Sequence, residues 1–170
     1  MGKWVTIRLM ILICILFTLL LIFDKGADAD EMYLTGALGV FNSGKSSLSE
    51  TKFANVGYRS PLGMFTQQVE IGGWIDRFGQ GRADSAYTAY QVGWQVDAPL
   101  IARIMTGPCM ITTPDVYLGG RLNFKEDLYV GEEDSQGRTI GIKYNHISSA
   151  GIYTPNIGRD ALGVEIGIKF

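Results

Sequence analysis

The chain has 170 residues, enough for one domain, and carries 15 lysines and arginines against 17 acidic residues. The net charge of −2 and the lack of a basic run argue against a nucleic acid as partner. Cys14 lies in the apolar N-terminal run and Cys109 is the only cysteine after it, so neither a disulfide nor a cysteine-rich metal site is expected there. The 22 glycines, eight tyrosines and three tryptophans are typical of a β protein with aromatic belts.

The N-terminal residues have the pattern of a cleaved secretory signal peptide. A positive start precedes an almost continuously apolar run at residues 9–23, and Ala27 and Ala29 form a small-x-small cleavage site. The run is shorter than the roughly 20 residues of a spanning helix, which makes a retained anchor the weaker interpretation. We therefore predict a signal peptide at residues 1–29 and a single domain at residues 30–170.

Residues 39–46, GVFNSGKS, match the G-x-x-x-x-G-K-[ST] pattern of a phosphate-binding loop. Such a loop needs a buried strand before it and a helix after it, whereas the residues that follow here are turn-rich and return to a strand pattern. No alternation of helices and strands is present to build a nucleotide-binding sheet. We interpret the stretch as a hairpin loop between the first two strands.

Alternation of apolar and polar residues with a period of two dominates the sequence after residue 30. In the C-terminal strand, Leu162, Val164 and Ile166 alternate with Gly163 and Glu165. Strands of about ten residues with an apolar face and a Gly-rich polar face are typical of transmembrane β-barrels. The terminal Phe also resembles the C-terminal pattern of bacterial outer-membrane barrels. We predict eight strands, at residues 31–41, 52–60, 65–76, 85–98, 100–109, 122–133, 138–148 and 160–170. Residues 114–124 are an alternative strand, but a sixth strand that starts near residue 122 leaves SQGR as a short turn.

The predicted fold is all-β: an eight-stranded antiparallel transmembrane β-barrel in the bacterial outer membrane, filled by side chains and without a wide pore. Short periplasmic turns are expected at SPLG, DAP and SQGR, which makes residues 149–159 an extracellular loop. Glu165 and Lys169 fall in the polar set and are expected inside the barrel. A soluble β-sandwich, which alternates in the same way with its apolar face inward, is the alternative.

Parity places three polar side chains on the lipid-facing side, at the extracellular end of the last two strands. His146, the only histidine, and Ser148 share a face with Ile142, and Asp160 shares a face with Leu162. Polar groups on such a surface are costly without partners. A serine needs a base to accept its proton, and the base needs an orienting carboxylate. Ser148, His146 and Asp160 are therefore a candidate nucleophile, base and acid.

The loop that follows Ser148 offers donors for an oxyanion hole. These are the backbone N–H groups around Ala150 and Gly151, with the side chain of Asn156 as a further donor. The alternative is that His146 is an interfacial polar residue without a catalytic role. Cys109 is a weaker candidate nucleophile because no adjacent residue would lower the pKa of its thiol.

The stretch HISSAGIYTPNIGRD, residues 146–160, resembles the active-site segment of the outer-membrane lipid A 3-O-deacylase family. That family has His-x-Ser-Asn-Ala at the end of its penultimate strand, then Pro-Asn and Gly in the loop, and then an acidic residue that opens the last strand. His146 and Ser148 match the base and the nucleophile. The other matches are Ala150, Gly151, Pro155, Asn156 and Gly158. The upstream LGGRLNFKED also resembles the family.

Two positions depart from the family pattern. The acidic residue is usually Glu and is Asp160 here, one methylene shorter, so its carboxylate reaches His146 only if the backbones approach closely. The residue after the nucleophile is usually Asn and is Ser149 here. A degenerate, non-catalytic barrel with a structural or adhesion role is therefore the alternative function.

The resemblance implies an esterase that hydrolyses a fatty-acyl ester of lipid A, with lipopolysaccharide as substrate and neither metal nor cofactor. Ser148 would attack the ester carbonyl, His146 would transfer the proton, and Asp160 would orient His146. Ile142, Ile147 and Ile152 would contribute to a groove for the acyl chain, although Ile147 points inward by strict alternation. The sequence leaves the oligomeric state open, with a homodimer as one option.

Overall fold

The computed structural model contains a closed barrel of eight antiparallel strands, in which each strand pairs with its sequence neighbours and the last pairs with the first. It describes residues 30–39, 51–75, 84–98, 100–114, 118–154 and 156–170, so the predicted signal peptide lies outside the described residues. Closure leaves no open sheet edge, which confirms the predicted barrel and makes the soluble sandwich wrong. The strands are β1 (Glu31–Gly39), β2 (Lys52–Leu62), β3 (Phe65–Ile75), β4 (Ser85–Ala98), β5 (Leu100–Ile111), β6 (Leu122–Glu133), β7 (Arg138–Ser148) and β8 (Arg159–Lys169).

The strand bounds agree with the sequence prediction within two residues wherever the chain is described, and β4, β6 and β7 have the predicted bounds. The largest differences are at the ends of β2 and β5, which extend to Leu62 and Ile111. Pro61 is tolerated near the strand end, so the first turn falls at Gly63 and Met64, and Gly63 has φ +58°. The predicted strand ends at residues 40–41 and 76 lie outside the described residues.

The stretch GVFNSGKS joins two strands that are hydrogen-bonded neighbours. Its first residue, Gly39, ends β1, and Leu38 lies opposite Lys52 at the start of β2. The rest of the stretch lies outside the described residues, so the predicted hairpin loop stays a prediction. The described part of the chain contains no helix with the length and hydrophobicity of a membrane-spanning segment.

Alternation along the strands separates an apolar outer face from a polar interior. In β1, buried and exposed residues alternate without interruption, as the period of two requires. Large apolar side chains are exposed on the outer face of every strand, which matches the lipid-facing band of an outer-membrane barrel. They include Leu34, Val56, Ile71, Val96, Ile104, Val130, Ile142 and Val164.

The interior is filled by charged side chains in a balanced network. Within the described part of the chain, four cations contact four anions, and each of the eight residues is at most 3% exposed. Glu165 lies 3.0, 2.9 and 3.0 Å from nitrogens of three cations, and Glu70 lies 2.8 and 3.0 Å from two lysines. The eight residues are Arg59, Arg103, Lys125, Lys143, Glu31, Glu70, Asp127 and Glu165.

The predicted polar interior is thus confirmed, and Glu165 lies within it. Lys169, the other residue assigned to this set, is only partly buried and pairs with Glu133 at 2.5 Å near the end of the barrel. At the extracellular end, an apolar cluster closes the interior below the loops, with Trp74 packed 5.8 Å from Phe53 and 6.0 Å from Tyr87. Cys109 is buried in this cluster.

Candidate active site

His146 in β7 and Asp160 in β8 lie directly opposite each other in the antiparallel ladder. Both belong to the outward-facing set, with side chains that are 28% and 14% exposed. Opposite residues place their Cβ atoms only about 4.5–5.5 Å apart. The imidazole Nδ1 accordingly lies 2.8 Å from Asp160 Oδ1. The shorter aspartate reaches the histidine because the register sets the two backbones face to face.

This contact indicates which nitrogen of the neutral His146 ring carries the proton. Because a carboxylate only accepts hydrogen bonds, the neutral imidazole donates its Nδ1 proton to Asp160, which leaves the lone pair on Nε2. Gly158 lies against the ring: a Cβ atom at that position would be 2.7 Å from His146 Cε1. Gly158 also has φ +81°, which strains any residue with a side chain. The backbone at Gly158, just before β8, therefore packs against the imidazole and restricts its orientation.

Ser148 ends β7 and shares the outward face with His146, two positions earlier. The two residues are about 6.6–6.8 Å apart along the strand. Among the described residues, no hydrogen bond joins the Ser148 hydroxyl to the imidazole. The structure therefore brings His146 and Asp160 into contact and places Ser148 beside them, without the hydrogen bond that the predicted nucleophile and base would share. Such bonds are often long without substrate and tighten when it binds.

The chain turns immediately after Ser148. The Ile152 N–H donates to the Ser149 carbonyl at 2.9 Å, and Ala150 and Gly151 between them have φ +48° and +79°. Positive φ at both central residues is the signature of a type I′ turn, and it is strained at alanine. The hydrogen bond of the turn uses neither the Ala150 nor the Gly151 N–H. These two donors therefore lie next to the predicted nucleophile.

Asn156 closes the same loop. Its Oδ1 accepts the Ser149 N–H at 2.7 Å, which fixes the amide and leaves its NH₂ group as the donating side. Ser149 itself is fully buried, and its Oγ has no hydrogen-bond partner among the described atoms. The side chain that departs from the family pattern therefore points away from the outer face. Pro155 lies outside the described residues.

Two residues beside His146 were missed by the sequence reasoning. The Tyr144 hydroxyl donates to Asp160 Oδ1, the same oxygen that contacts His146. Glu126 of β6 lies directly opposite His146 on its other side and is exposed. The alternation of the seventh strand places Tyr144 on the lipid-facing side with His146, but it does not indicate a partner. Tyr144 and Glu126 are recognised as neighbours of the site only from the register of β6, β7 and β8, which the sequence does not give.

The apolar surroundings of the site agree with the parity of the strands. Ile142 and Ile152 are 60% and 42% exposed, on the face and in the loop that flank Ser148. Ile147 is 1% exposed and belongs to the interior cluster, as strict alternation required. The lining of an external groove is therefore limited to outward-facing residues.

The fold and the polar cluster define a bacterial outer-membrane β-barrel with a small set of ionisable and hydroxyl side chains on its lipid-facing surface. The family model described as lipid A 3-O-deacylase (PagL) matches residues 52–169. This match spans more than half of the chain, and the chain belongs to that family. The resemblance noted in the C-terminal segment is thereby confirmed.

Solved outer-membrane barrels share the fold. The chain is similar to the outer-membrane enzyme PagL, with a TM-score of 0.58, 19% identity, and coverage of 81% of this chain and 99% of that one. It is also similar to Neisserial surface protein A, with a TM-score of 0.56, 12% identity, and coverage of 86% and 100%. It is similar to the Yersinia pestis outer-membrane protein Ail as well, with a TM-score of 0.52, 11% identity, and coverage of 84% of this chain and 99% of that one. No curated protein matches the sequence.

Proposed function

We propose that this protein is an outer-membrane esterase that hydrolyses a fatty-acyl ester of lipid A. The observation that carries the proposal is the 2.8 Å contact between His146 and Asp160 on the lipid-facing surface, directly beside Ser148. A histidine that is hydrogen-bonded to a carboxylate is unusual on an apolar, lipid-facing surface, because polar side chains there are costly without a function or a partner. Membership of the lipid A 3-O-deacylase family supplies the substrate class.

The reaction begins with Ser148 attacking the ester carbonyl carbon. His146 accepts the hydroxyl proton at Nε2, while Asp160 holds Nδ1–H and stabilises the imidazolium that forms. The carbonyl oxygen becomes an oxyanion, for which the N–H groups of Ala150 and Gly151 and the amide NH₂ of Asn156 are the donors. Backbone donors fixed by a turn need no reorganisation when the charge develops.

Collapse of the tetrahedral intermediate breaks the bond between the acyl carbon and the sugar oxygen. The leaving alkoxide takes the proton from His146, and the fatty acid stays on Ser148 as an ester. A water molecule then attacks this acyl-enzyme, with His146 again accepting the proton. Collapse releases the free fatty acid and returns the proton to Ser148.

The position of the site determines how substrate reaches it. Within the described residues, the aromatic cluster around Trp74 and the charged network fill the barrel interior, which favours access of an acyl chain from the outside. Ile142 and Ile152 provide apolar contacts beside Ser148 on the outside. Lipid A can therefore present its ester from the outer leaflet while its acyl chains stay in the bilayer. Each chain carries all three proposed catalytic residues, and the homodimer stays a prediction.

Expression in a Gram-negative host, followed by mass spectrometry of lipid A, tests the proposal. We expect loss of one hydroxyacyl chain with the wild-type protein and intact lipid A with Ser148→Ala or His146→Ala. Glu126→Gln, which removes a carboxylate beside the site, is the matched control and should remain active. Unchanged lipid A with a folded, membrane-inserted wild-type barrel would contradict the proposal and favour the non-catalytic alternative.

A further inference from the structure

His146 stands between two carboxylates, and only one of them contacts its ring. In the ladder, Asp160 of β8 lies opposite His146 on one side and Glu126 of β6 lies opposite it on the other. Both residues belong to the outward-facing set. The contact at 2.8 Å is with Asp160, although glutamate has the longer reach. Something other than side-chain length therefore decides which acid pairs with the histidine.

Tyr144 lies in the same strand as His146, two residues earlier and on the same face. It is opposite Leu162 in β8 and Leu128 in β6, which makes both acids its diagonal neighbours. Diagonal positions are about 7–8 Å apart, within reach of an aromatic side chain. The Tyr144 hydroxyl takes the β8 side and donates to Asp160 Oδ1.

We propose that Tyr144 is a positioning residue that selects Asp160 over Glu126 as the acid that orients His146. This inference deepens the proposed function and rests on it for its catalytic consequence. The terminal torsion of an aspartate is broad, so a single hydrogen bond leaves the carboxylate free to rotate. A second donor on the same oxygen, Oδ1, fixes the oxygen that faces the imidazole.

The phenol suits this position on chemical grounds. It donates a hydrogen bond without adding a positive charge, so the carboxylate keeps its full attraction for the imidazolium. Its aromatic body can lie against lipid while its polar tip is satisfied by Asp160. Asp160 thus has two donors on a surface where an unpartnered carboxylate would be costly. The register brings the shorter Asp160 to the ring, and the Tyr144 hydroxyl keeps Oδ1 turned toward the imidazole.

The first experiment uses the fact that the chain has one histidine. In protein labelled with ¹⁵N-histidine and folded in detergent micelles, the ring signals report the tautomer of His146 directly. At a pH where the ring is neutral, we expect the Nδ1–H form in the wild type and its loss in Asp160→Asn. Tyr144→Phe should shift a substantial share of the signal toward the Nε2–H form, and Glu126→Gln should match the wild type. Wild-type signals in Tyr144→Phe would overturn the proposal.

The second experiment measures kinetics with purified lipid A. Tyr144→Phe should lower kcat about tenfold and change KM less than about twofold, since the residue acts through Asp160 and not on the substrate. In an Asp160→Glu background, where the longer acid reaches the ring unaided, the same substitution should cost less than about twofold. Equal losses in both backgrounds would indicate a merely structural tyrosine and overturn the inference. A wild-type protein without deacylase activity would refute the proposed function, and the tautomer measurement would still decide the role of Tyr144.

Discussion

Polar side chains are paired in two different ways inside and outside this barrel. Inside, the charges are redundant: Glu165 contacts Arg59, Arg103 and Lys143, and no single contact carries the arrangement. Outside, in the part of the chain that the structure describes, His146 is bonded to a single acid, Asp160. The redundant network suits a sealed interior whose task is stability. The outer contacts, from Tyr144 to Asp160 and from Asp160 to His146, are single hydrogen bonds, and they suit a site in which the orientation of one ring matters.

Among these substitutions, we expect the largest loss of rate from replacing Asp160, the acid that contacts His146. Asp160→Asn should reduce fatty-acid release from lipid A by about a thousandfold or more, because an amide can hold the imidazole in the wrong tautomer. Glu126→Gln removes the other carboxylate opposite His146 and should change the rate by less than about twofold. Both rates can be measured on purified, folded barrels in mixed micelles. Comparable losses in the two variants would mean that the two acids are equivalent.

A substitution in the interior charged network should lower the free energy of unfolding and leave the rate of deacylation unchanged. Glu70→Gln removes a carboxylate that contacts Lys125 and Lys143 and accepts the hydroxyls of Tyr33 and Tyr87. Both lysines keep other anionic partners, Asp127 and Glu165, but the sealed interior loses one negative charge and two hydroxyls lose their acceptor. We therefore expect a loss of about 3 kcal/mol in the free energy of unfolding. Urea unfolding in lipid vesicles measures it. Wild-type stability of this variant, or a loss of its deacylation rate, would contradict the distinction between a stabilising interior and a catalytic outer surface.

A third substitution acts on both backbone and site. Gly158→Ala places a side chain at φ +81° and puts its Cβ within 2.7 Å of His146 Cε1. We expect a loss of about 1 kcal/mol in stability from the backbone strain and a larger, roughly tenfold or greater, loss of rate from displacement of the ring. Gly63→Ala is the matched control, since it has φ +58° and nothing within 4 Å. It should show the stability loss alone, and a rate loss in that variant would contradict the assignment.

The smallest effect is expected at the position that departs from the family pattern. Ser149 is buried and its Oγ lacks a partner among the described atoms, so Ser149→Ala removes an unsatisfied hydroxyl. Stability should change by less than about 1 kcal/mol, with the rate unaltered, because only the backbone N–H of this residue meets Asn156. A large rate loss in this variant would show that the hydroxyl takes part in the site.

The sequence predicted the barrel well because lipid and lumen impose opposite demands on alternate residues. That rule placed His146, Ser148 and Asp160 on one face and turned Ile147 inward, and the structure agrees on each point. Turn signals were less accurate. Pro61 suggested a turn, yet β2 runs through it to Leu62, since a strand end tolerates the missing N–H.

The contacts of the site could not be predicted in the same way. That His146 meets Asp160 depends on the register between β7 and β8, which is set by the length and shape of the intervening loop. The bond from Tyr144 depends on a diagonal neighbour in that register. The interior ion pairs depend on which strands face each other across the lumen, and a period of two carries no information about that.

The central claim is that Ser148 is the nucleophile of a lipid-facing esterase, and covalent labelling tests it most directly. The folded protein would be treated with a long-chain alkyl fluorophosphonate, and the adduct located by peptide mass spectrometry. We expect a single adduct on the peptide that contains Ser148, abolished in Ser148→Ala and strongly reduced in His146→Ala. Deacylation of lipid A by a protein that carries its adduct on a different residue, or that stays active after Ser148→Ala, would contradict the claim.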